Sequence, residues 1–400
     1  MNGITFKRGN GGLARQIAGE DHISGLFYLT AISGMVGNYE FHTIEEAEAA
    51  GITTVTEPLL HYQISEFFRL APGATLFVFV ATSYASDYSN VKQLQQYTGG
   101  KLRRLGVLHN TLNVATMITT EAGALNTVCE QLADQNMPLT AIITGILSSA
   151  NIASLPNVHT QNMSRVGVCL AQDGKGYGAY LQAQSAYTIK TITALGALLG
   201  TLAKRRVSDS IGWVEKYNVV TTAYPKTLTG GVQPSAELDA PALCDGTLIS
   251  ALTPAQLQTI HDKGYILLLK HVGYGGTYWN DAFAGTALTS DYAYLENTET
   301  MDKACRGVYQ ALLPQVSGPV YMDAQTGKIA ESTCKSLEAL AEVPLAQMER
   351  DGELSGYAVS IDPAQEVLQT SKLQVVIRLV PVGVLRELVV TIGFTLNTQA

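Results

Sequence analysis

The alternation of apolar and polar residues is most regular near the end of the chain. Apolar residues fill every second position over 373–379 and again over 388–396, with Val376 and Val389 as exceptions. Side chains of a strand point alternately to its two faces, so this period predicts two half-buried strands. A strand this close to a chain end needs a receiver that ties it down. The receiver is either the protein's own sheet or the sheet of a neighbouring copy.

Earlier in the chain, short apolar runs alternate with helical stretches. The runs predict strands over 26–29, 76–80, 105–108, 139–143 and 165–171, and the stretches between them predict helices over 43–50, 61–70, 91–97 and 119–132. The continuous run at 76–80 is typical of a strand buried on both faces. Thr43 followed by Glu46 is typical of a helix start. This order predicts an α/β fold with a mostly parallel sheet.

The second half of the chain predicts a mixed α/β region. Helices are expected over 187–203, from Pro254 after an N-terminal Thr253, over 291–313 and over 332–350, with strands over 265–269 and 356–359. We expect an N-terminal arm at 1–20, an α/β domain at 21–175, a mixed core domain at 176–383 and a C-terminal arm strand at 384–400.

Composition narrows the class of function. Charged residues make up 15% of the chain and the net charge is -8, without a run rich in Lys or Arg. Soluble domains average about 25% charged residues, so a surface poor in charge is suited to contact with other subunits. A nucleic-acid partner is not expected, because such binding depends on neutralising phosphates. The five scattered cysteines predict free thiols in a reducing compartment.

Targeting segments and catalytic motifs are missing from the sequence. The first residues contain no apolar signal-peptide core, and the most apolar stretch, 187–203, is interrupted by Lys190 and predicts a buried helix rather than membrane insertion. We therefore expect folding in the cytoplasm. The glycines at 275–276 beside aromatic residues indicate either a small-molecule site or a tight turn. The spacing of His261, Asp262 and His271 does not bring the three side chains together around a metal ion. We therefore predict no metal site, and without a catalytic motif we predict no catalytic or cofactor site.

Several segments together resemble contractile tail sheath proteins. They are residues 206–214 (RVSDSIGWV), 261–265 (HDKGY), 270–281 (KHVGYGGTYWND), 291–294 (DYAY), 302–307 (DKACRG), 378–385 (RLVPVGVL) and 392–394 (IGF). The resemblance covers most of the chain from about residue 12, and is greatest to an uncharacterised subgroup related to Mu-like phage sheaths.

The resemblance implies a structural protein rather than an enzyme. Such subunits form stacked hexameric rings around an inner tail tube, and contract to drive the tube through a target envelope. The implied partners are further copies of the chain, the tube protein, and baseplate and tail terminator proteins. The implied location is a phage virion or a related injection particle, assembled in the host bacterial cytoplasm. An α/β enzyme and a non-contractile tube or shell protein remain as alternatives.

The family also implies that the terminal arms add strands to sheets of neighbouring subunits, which is β-augmentation. The candidate arm-strand residues are Ile4, Thr5, Phe6, Leu388, Val390, Ile392, Phe394 and Leu396. The candidate hinges are Gly9, Gly11, Gly12, Pro381 and Gly383. A hairpin between 373–379 and 388–396 within one chain is the alternative. Lys335 and Arg350, on the charged face of the last long helix, are candidates for facing the tube. An ordinary solvated helix face is the alternative, and the pattern slightly favours it.

Overall fold

The computed structural model of the protein describes residues 19–147, 152–184, 191–220 and 237–394. The strands in these ranges are β1 (Ser24–Leu29), β2 (Gly37–Phe41), β3 (Leu76–Ala81), β4 (Arg104–Asn113), β5 (Thr140–Ile146), β6 (Val166–Cys169), β7 (Ala171–Asp173), β8 (Pro241–Leu243), β9 (Tyr265–Ile266), β10 (Leu268–Leu269), β11 (Tyr278–Trp279), β12 (Leu354–Ser360) and β13 (Val376–Pro381). The helices are α1 (Ile44–Ala49), α2 (Pro58–Leu70), α3 (Ser89–Tyr97), α4 (Val114–Thr120), α5 (Ala122–Asp134), α6 (Tyr177–Gln182), α7 (Leu195–Lys204), α8 (Pro254–Asp262), α9 (Leu295–Leu312), α10 (Glu331–Arg350) and α11 (Val367–Thr370).

The central sheet has the strand order β2-β3-β1-β4-β5-β6-β9. Its neighbouring strands run parallel, except that β2 is antiparallel to β3. Leu26 and Val78 contribute to the core on one face of this sheet, and Phe27 and Phe79 contribute to the core on the other. Both faces are therefore buried, as continuous apolar strands require. The predicted α/β class with a mostly parallel sheet is confirmed.

On one face of the sheet, helices α2 and α7 pack closely against each other at two glycines of α7. A Cβ atom at Gly196 would lie 2.0 Å from the carbonyl oxygen of Gln63, and one at Gly200 would lie 2.7 Å from that of Phe67. The Gln63 amide also donates to the carbonyl oxygens of Ile192 and Thr193, at 2.8 and 3.0 Å. Only glycine permits this approach of two helix backbones.

The helix expected at 187–203 is shorter in the structure, where it begins at Leu195. Residues 185–190 lie outside the described ranges. The residues just before the helix bind β7 instead, because the Ala194 N–H and the Thr193 hydroxyl both donate to the Ala171 carbonyl oxygen, at 2.7 and 3.0 Å. A pairing between segments distant in sequence therefore overrides the helical period.

Two other predicted elements are divided in the structure. The strand expected at 265–269 becomes β9 and β10, which belong to different sheets. Between them, the Leu267 N–H donates to the Asn280 side-chain oxygen at 2.8 Å, so a side chain replaces a strand partner. The helix expected at 119–132 becomes α4 and α5, which meet at Glu121. Strand β2 was not predicted, because its sequence has too few apolar residues for a periodic signal.

Helices α9 and α10 support a separate two-stranded sheet. Strands β12 and β13 pair antiparallel, and their side chains Tyr357, Val359, Ile377 and Leu379 pack against Leu345 and nearby apolar groups. The expected domain boundary at residue 175 falls within one sheet, since β9 pairs with β6. No helix in the described ranges is both long enough and apolar enough to span a bilayer.

Candidate assembly site at the roots of the arms

One face of α9 carries a row of charged residues that form ion pairs with several other parts of the chain. Glu296, Glu299, Asp302, Lys303 and Arg306 follow one another at intervals of three or four, with one adjacent pair. This spacing places them on one side of a helix. Buried charges are costly unless they are paired, so the partners of this row determine what α9 holds in place.

The middle of the row joins α9 to the central sheet. Arg104 of β4 donates to both carboxylate oxygens of Glu299, at 3.3 and 2.9 Å, and Arg205 donates to the same carboxylate at 3.0 Å. Burial alone would raise the pKa of Glu299, but the two guanidinium groups outweigh it and hold that pKa below its ordinary value. Arg165 forms a second bidentate pair with Asp302, at 2.8 and 2.9 Å.

The C-terminal end of the row holds the beginning of the described chain. The Asp21 carboxylate lies 2.6 Å from the Lys303 ammonium group and 3.2 Å from the Arg306 guanidinium group. Lys303 also lies 2.7 Å from Glu353, just before β12. Burial opposes ionisation of Asp21, but Lys303 and then Arg306 lower its pKa. Asp21, the residue that follows the expected N-terminal arm, is therefore fixed by ion pairs.

The N-terminal end of the row holds the root of the C-terminal arm. Arg386 donates from Nε to Asp281 at 2.6 Å, and it also donates to Glu296. Its guanidinium carbon lies 3.4 Å from the centre of the Tyr294 ring, at cation–π distance. Asp281 additionally accepts from the Ser210 hydroxyl at 3.1 Å. Asp21 and Arg386, which lie at the roots of the two expected arms, thus contact the same helix, at positions ten residues or about 15 Å apart.

The described residues beyond Arg386, 387–394, are exposed. The side chains of Leu388, Val390, Ile392 and Phe394 are 72%, 70%, 92% and 112% exposed. Residues 382–394 form no strand, so the alternative of a hairpin with 373–379 does not hold for the described residues, where β13 pairs with β12. Alternating apolar side chains in water lack the buried face that their pattern predicts.

The other candidate residues are placed as follows. Pro381 ends β13, and nothing within 4 Å would meet a Cβ atom at Gly383. Lys335 and Arg350 lie on α10, where Lys335 is 2.7 Å from Glu338 and the Arg350 Nε donates to Ala346 at 3.2 Å. The N-terminal arm residues, with Leu396, lie outside the described ranges.

The residues around His261, His271 and Gly276, which could have formed a small-molecule or metal site, each contact different neighbours instead of one another. His261 accepts from the Asn280 amide at 3.2 Å, in the tautomer with a bare Nδ1, while the His271 ring lies 5.7 Å from that of Tyr278. Gly276 has a φ of +102°, a turn conformation that favours glycine. In the parts of the chain that the structure describes, no three His, Cys, Asp or Glu side chains are placed to hold a metal ion.

Sequence reasoning did not single out the residues that hold the arm roots. Asp281, Tyr294, Lys303 and Arg306 lie inside segments that resemble sheath proteins, and Arg386 directly follows the segment 378–385. Their pairing depends on contacts across 90 to 285 positions, for example Glu296 with Arg386 and Asp21 with Arg306. The charged spacing along 296–306 is the one signal that could have pointed to them.

Family models match almost the whole chain. The model described as DUF2586, N-terminal domain, matches residues 1–283, and the model described as DUF2586, C-terminal domain, matches residues 291–399. The chain belongs to the DUF2586 family. The two models divide this DUF2586 chain immediately before α9, the helix to which both arm roots are attached. No curated protein matches the chain significantly.

Solved structures with the same fold come from the anti-feeding prophage. A chain in its six-fold symmetrised baseplate is 13% identical, with a TM-score of 0.63, and the match covers 99% of both chains. A chain in its contracted helical sheath is 14% identical with a TM-score of 0.61, and again 99% of both chains is covered. A chain in its contracted baseplate is 13% identical, with a TM-score of 0.61. At this identity the likeness establishes a shared fold.

Proposed function

We propose that the protein is the structural subunit of a contractile sheath, in a phage tail or a related injection particle. It polymerises as stacked hexameric rings around an inner tube and contracts to drive the tube through a target envelope. One observation carries this proposal. The exposed apolar arm at 388–394 lacks a partner among the described residues, in a chain that shares its fold with sheath and baseplate chains over 99% of its length.

The proposed receiver of the arms is the β12–β13 sheet of a neighbouring copy. In the described residues this sheet has two strands, so both of its outer edges lack strand partners. An isolated pair of strands is marginally stable, and an added strand supplies the missing backbone hydrogen bonds. Val376 and Val380 are partly exposed on β13 and offer apolar contacts to an arriving strand. The arm residues Ile4, Thr5 and Phe6 would pair in the same way.

Further partners of the proposed sheath are the tube, baseplate and tail terminator proteins. Its proposed location is the virion or particle, after assembly in the bacterial cytoplasm. Kinship with Mu-like sheaths stays a prediction. The charged face of α10, with Lys335 and Arg350, is the proposed contact with the tube.

Removal of the C-terminal arm tests the proposal. A chain that ends at Arg386 keeps every described core contact, so we expect it to remain folded and soluble with an unchanged melting temperature. We expect no rings or tubes from it by negative-stain electron microscopy, in contrast to the full chain. Tubes formed by the shortened chain would overturn the proposal.

Two full-length variants separate strand pairing from general loss of the arm. Ile392→Pro removes a backbone N–H and prevents strand pairing, whereas Ile392→Val keeps the preference for a strand. We expect assembly to fail only with proline. Microscopy of the full chain also separates the alternatives, because a closed shell indicates a non-contractile shell protein. A dispersed monomer with measurable turnover indicates an enzyme.

A further inference from the structure

We propose that Asp281, Glu296 and Tyr294 form a socket for the guanidinium group of Arg386, and that this socket sets the point from which the C-terminal arm pivots. The proposal rests on the proposed function only in the use of the arm as a link between subunits. The socket itself is a property of the single chain.

The socket surrounds the Arg386 guanidinium with groups suited to it. Asp281 accepts from Nε at 2.6 Å and from a terminal nitrogen at 3.3 Å, so its carboxylate faces the planar fork of donors. Glu296 accepts from the terminal nitrogen as well. The Tyr294 ring lies against the guanidinium face, 3.4 Å from its carbon.

The two carboxylates are placed so that they require a cation. The side chains of Asp281 and Glu296 are only 4% and 1% exposed, whereas Arg386 is 31% exposed. The Glu296 atom Oε2 is buried without a hydrogen-bond partner in the described residues. Two neighbouring buried carboxylates repel each other and are poorly solvated, which favours occupation of the socket by a positive group.

The position of the socket places the bend of the arm beyond Arg386. Residues 382–385 lie between the end of β13 at Pro381 and the fixed side chain of Arg386. A short segment held at both ends has little freedom to swing. In the part of the chain that the structure describes, the exposed residues 387–394 are held only at Arg386, so the pivot lies beyond it rather than at Pro381 and Gly383.

Chemical rescue tests the recognition of guanidinium. Arg386→Ala should lower the melting temperature by about 5 °C, because it leaves two buried carboxylates without their cation. Guanidinium chloride at about 20 mM should restore a large part of this loss by binding the empty socket. Sodium chloride at the same concentration should not. Arg378→Ala, at an exposed arginine of β13, is the matched control and should show neither loss nor rescue.

Mobility of the connector tests the pivot in the unassembled chain. A spin label at Leu385→Cys, in a background carrying Cys305→Ser, reports on the segment before Arg386, because Leu385 is exposed and Cys305 is the exposed native thiol. We expect an immobilised spectrum that becomes mobile when Arg386→Ala is added, and not when Arg378→Ala is added. If Arg386→Ala does not fold, Arg386→Lys should show a smaller gain in mobility, since it keeps the charge but loses the fork.

The outcomes distinguish the socket from the proposed function. Unchanged melting temperature and unchanged label mobility in Arg386→Ala, or rescue by sodium chloride alone, would overturn the socket whether or not the chain assembles. The shortened chain that ends at Arg386 retains the socket, so its assembly bears on the sheath proposal alone.

Discussion

Arg104 and Glu299 form a buried bidentate ion pair that joins a central strand of the sheet to α9. Both nitrogen–oxygen distances are within hydrogen-bond range, at 3.3 and 2.9 Å, and Arg205 approaches the same carboxylate at 3.0 Å. One carboxylate thus pairs with two buried guanidinium groups. The helix that carries the arm roots is fixed to the body by this contact.

Replacement of that carboxylate should be strongly destabilising. We expect Glu299→Gln to lower the free energy of unfolding by about 3–5 kcal/mol, because Arg104 and Arg205 would stay buried without a counter-charge. Denaturant unfolding measures the change. Glu349→Gln, at an exposed position of α10, should cost less than about 0.5 kcal/mol. A similar small cost at Glu299 would contradict the role given to the pair.

Because of the same ion pair, the stability of the folded chain should depend on pH in the acid range. The pKa of Glu299 is lower in the folded chain than in the unfolded chain, so its contribution to stability is complete above the ordinary pKa of a glutamate, about 4.5. That contribution is lost as pH falls through the lowered pKa. Glu299→Gln should therefore show a smaller loss of stability than the native chain between pH 5 and the acid transition.

A methyl group at Gly196 should force α2 and α7 apart. Its Cβ atom would lie 2.0 Å from the Gln63 carbonyl oxygen, which is backbone and cannot turn away. We expect Gly196→Ala to cost about 3 kcal/mol of unfolding free energy, as overpacking of a core does. Gly123→Ala is the control, since Gly123 lies in α5 with nothing within 4 Å, and alanine there should stabilise by up to about 1 kcal/mol. Equal effects at both glycines would contradict the close approach.

The buried carboxyl groups of Glu237 and Asp173 predict how the stability of the fold changes at alkaline pH. Glu237 Oε2 and Asp173 Oδ2 have no hydrogen-bond partners in the described residues, and burial followed by repulsion from Asp173 and Glu66 raises the pKa of Glu237 to about 10. Arg69, which pairs with Glu66, opposes the shift only in part. The folded chain thus retains a proton that the unfolded chain loses near pH 4.5.

Stability should therefore fall as pH rises from about 5 towards 10. Glu237→Gln imitates the protonated carboxyl and keeps an oxygen for the Tyr177 N–H, which donates to Glu237 at 2.6 Å. We expect its melting temperature at pH 8 to exceed that of the native chain, and its decline between pH 6 and 9 to be shallower. Parallel curves for the two proteins over this range would exclude the retained proton on Glu237.

Charge reversal on α10 tests the proposed tube contact. The double variant Lys335→Glu, Arg350→Glu should polymerise but release the tube more easily, measured by co-sedimentation of tube and sheath. Lys335 pairs with Glu338, so the new carboxylate repels that group and a small loss of stability is expected as well. Lys372→Glu, at an exposed position outside α10, is the control. Unchanged tube retention would remove α10 from the contact.

Local patterns were sufficient for most elements of the sheet. The apolar run at Leu76–Ala81 and the capped start of α8, where Thr253 and Gln256 form a capping box, were predictable because their signals lie within a few residues. The division at Leu267 was not predictable, because it depends on an amide of Asn280 that arrives from another part of the chain. The socket of Arg386 was missed for the same reason.

The amino-acid pattern alone specifies the α/β order of elements, the alternation of apolar residues over 388–394 and the charged spacing on α9. These follow from periodicity, which is written in neighbouring residues. The pairing of β13 with β12, the exposure of the apolar residues 388–394 and the contacts of Asp21 and Arg386 with α9 became apparent from the folded chain. Those outcomes depend on contacts between segments that are distant in sequence. For the attachment to α9, the cost of burying an unpaired charge selects the partners.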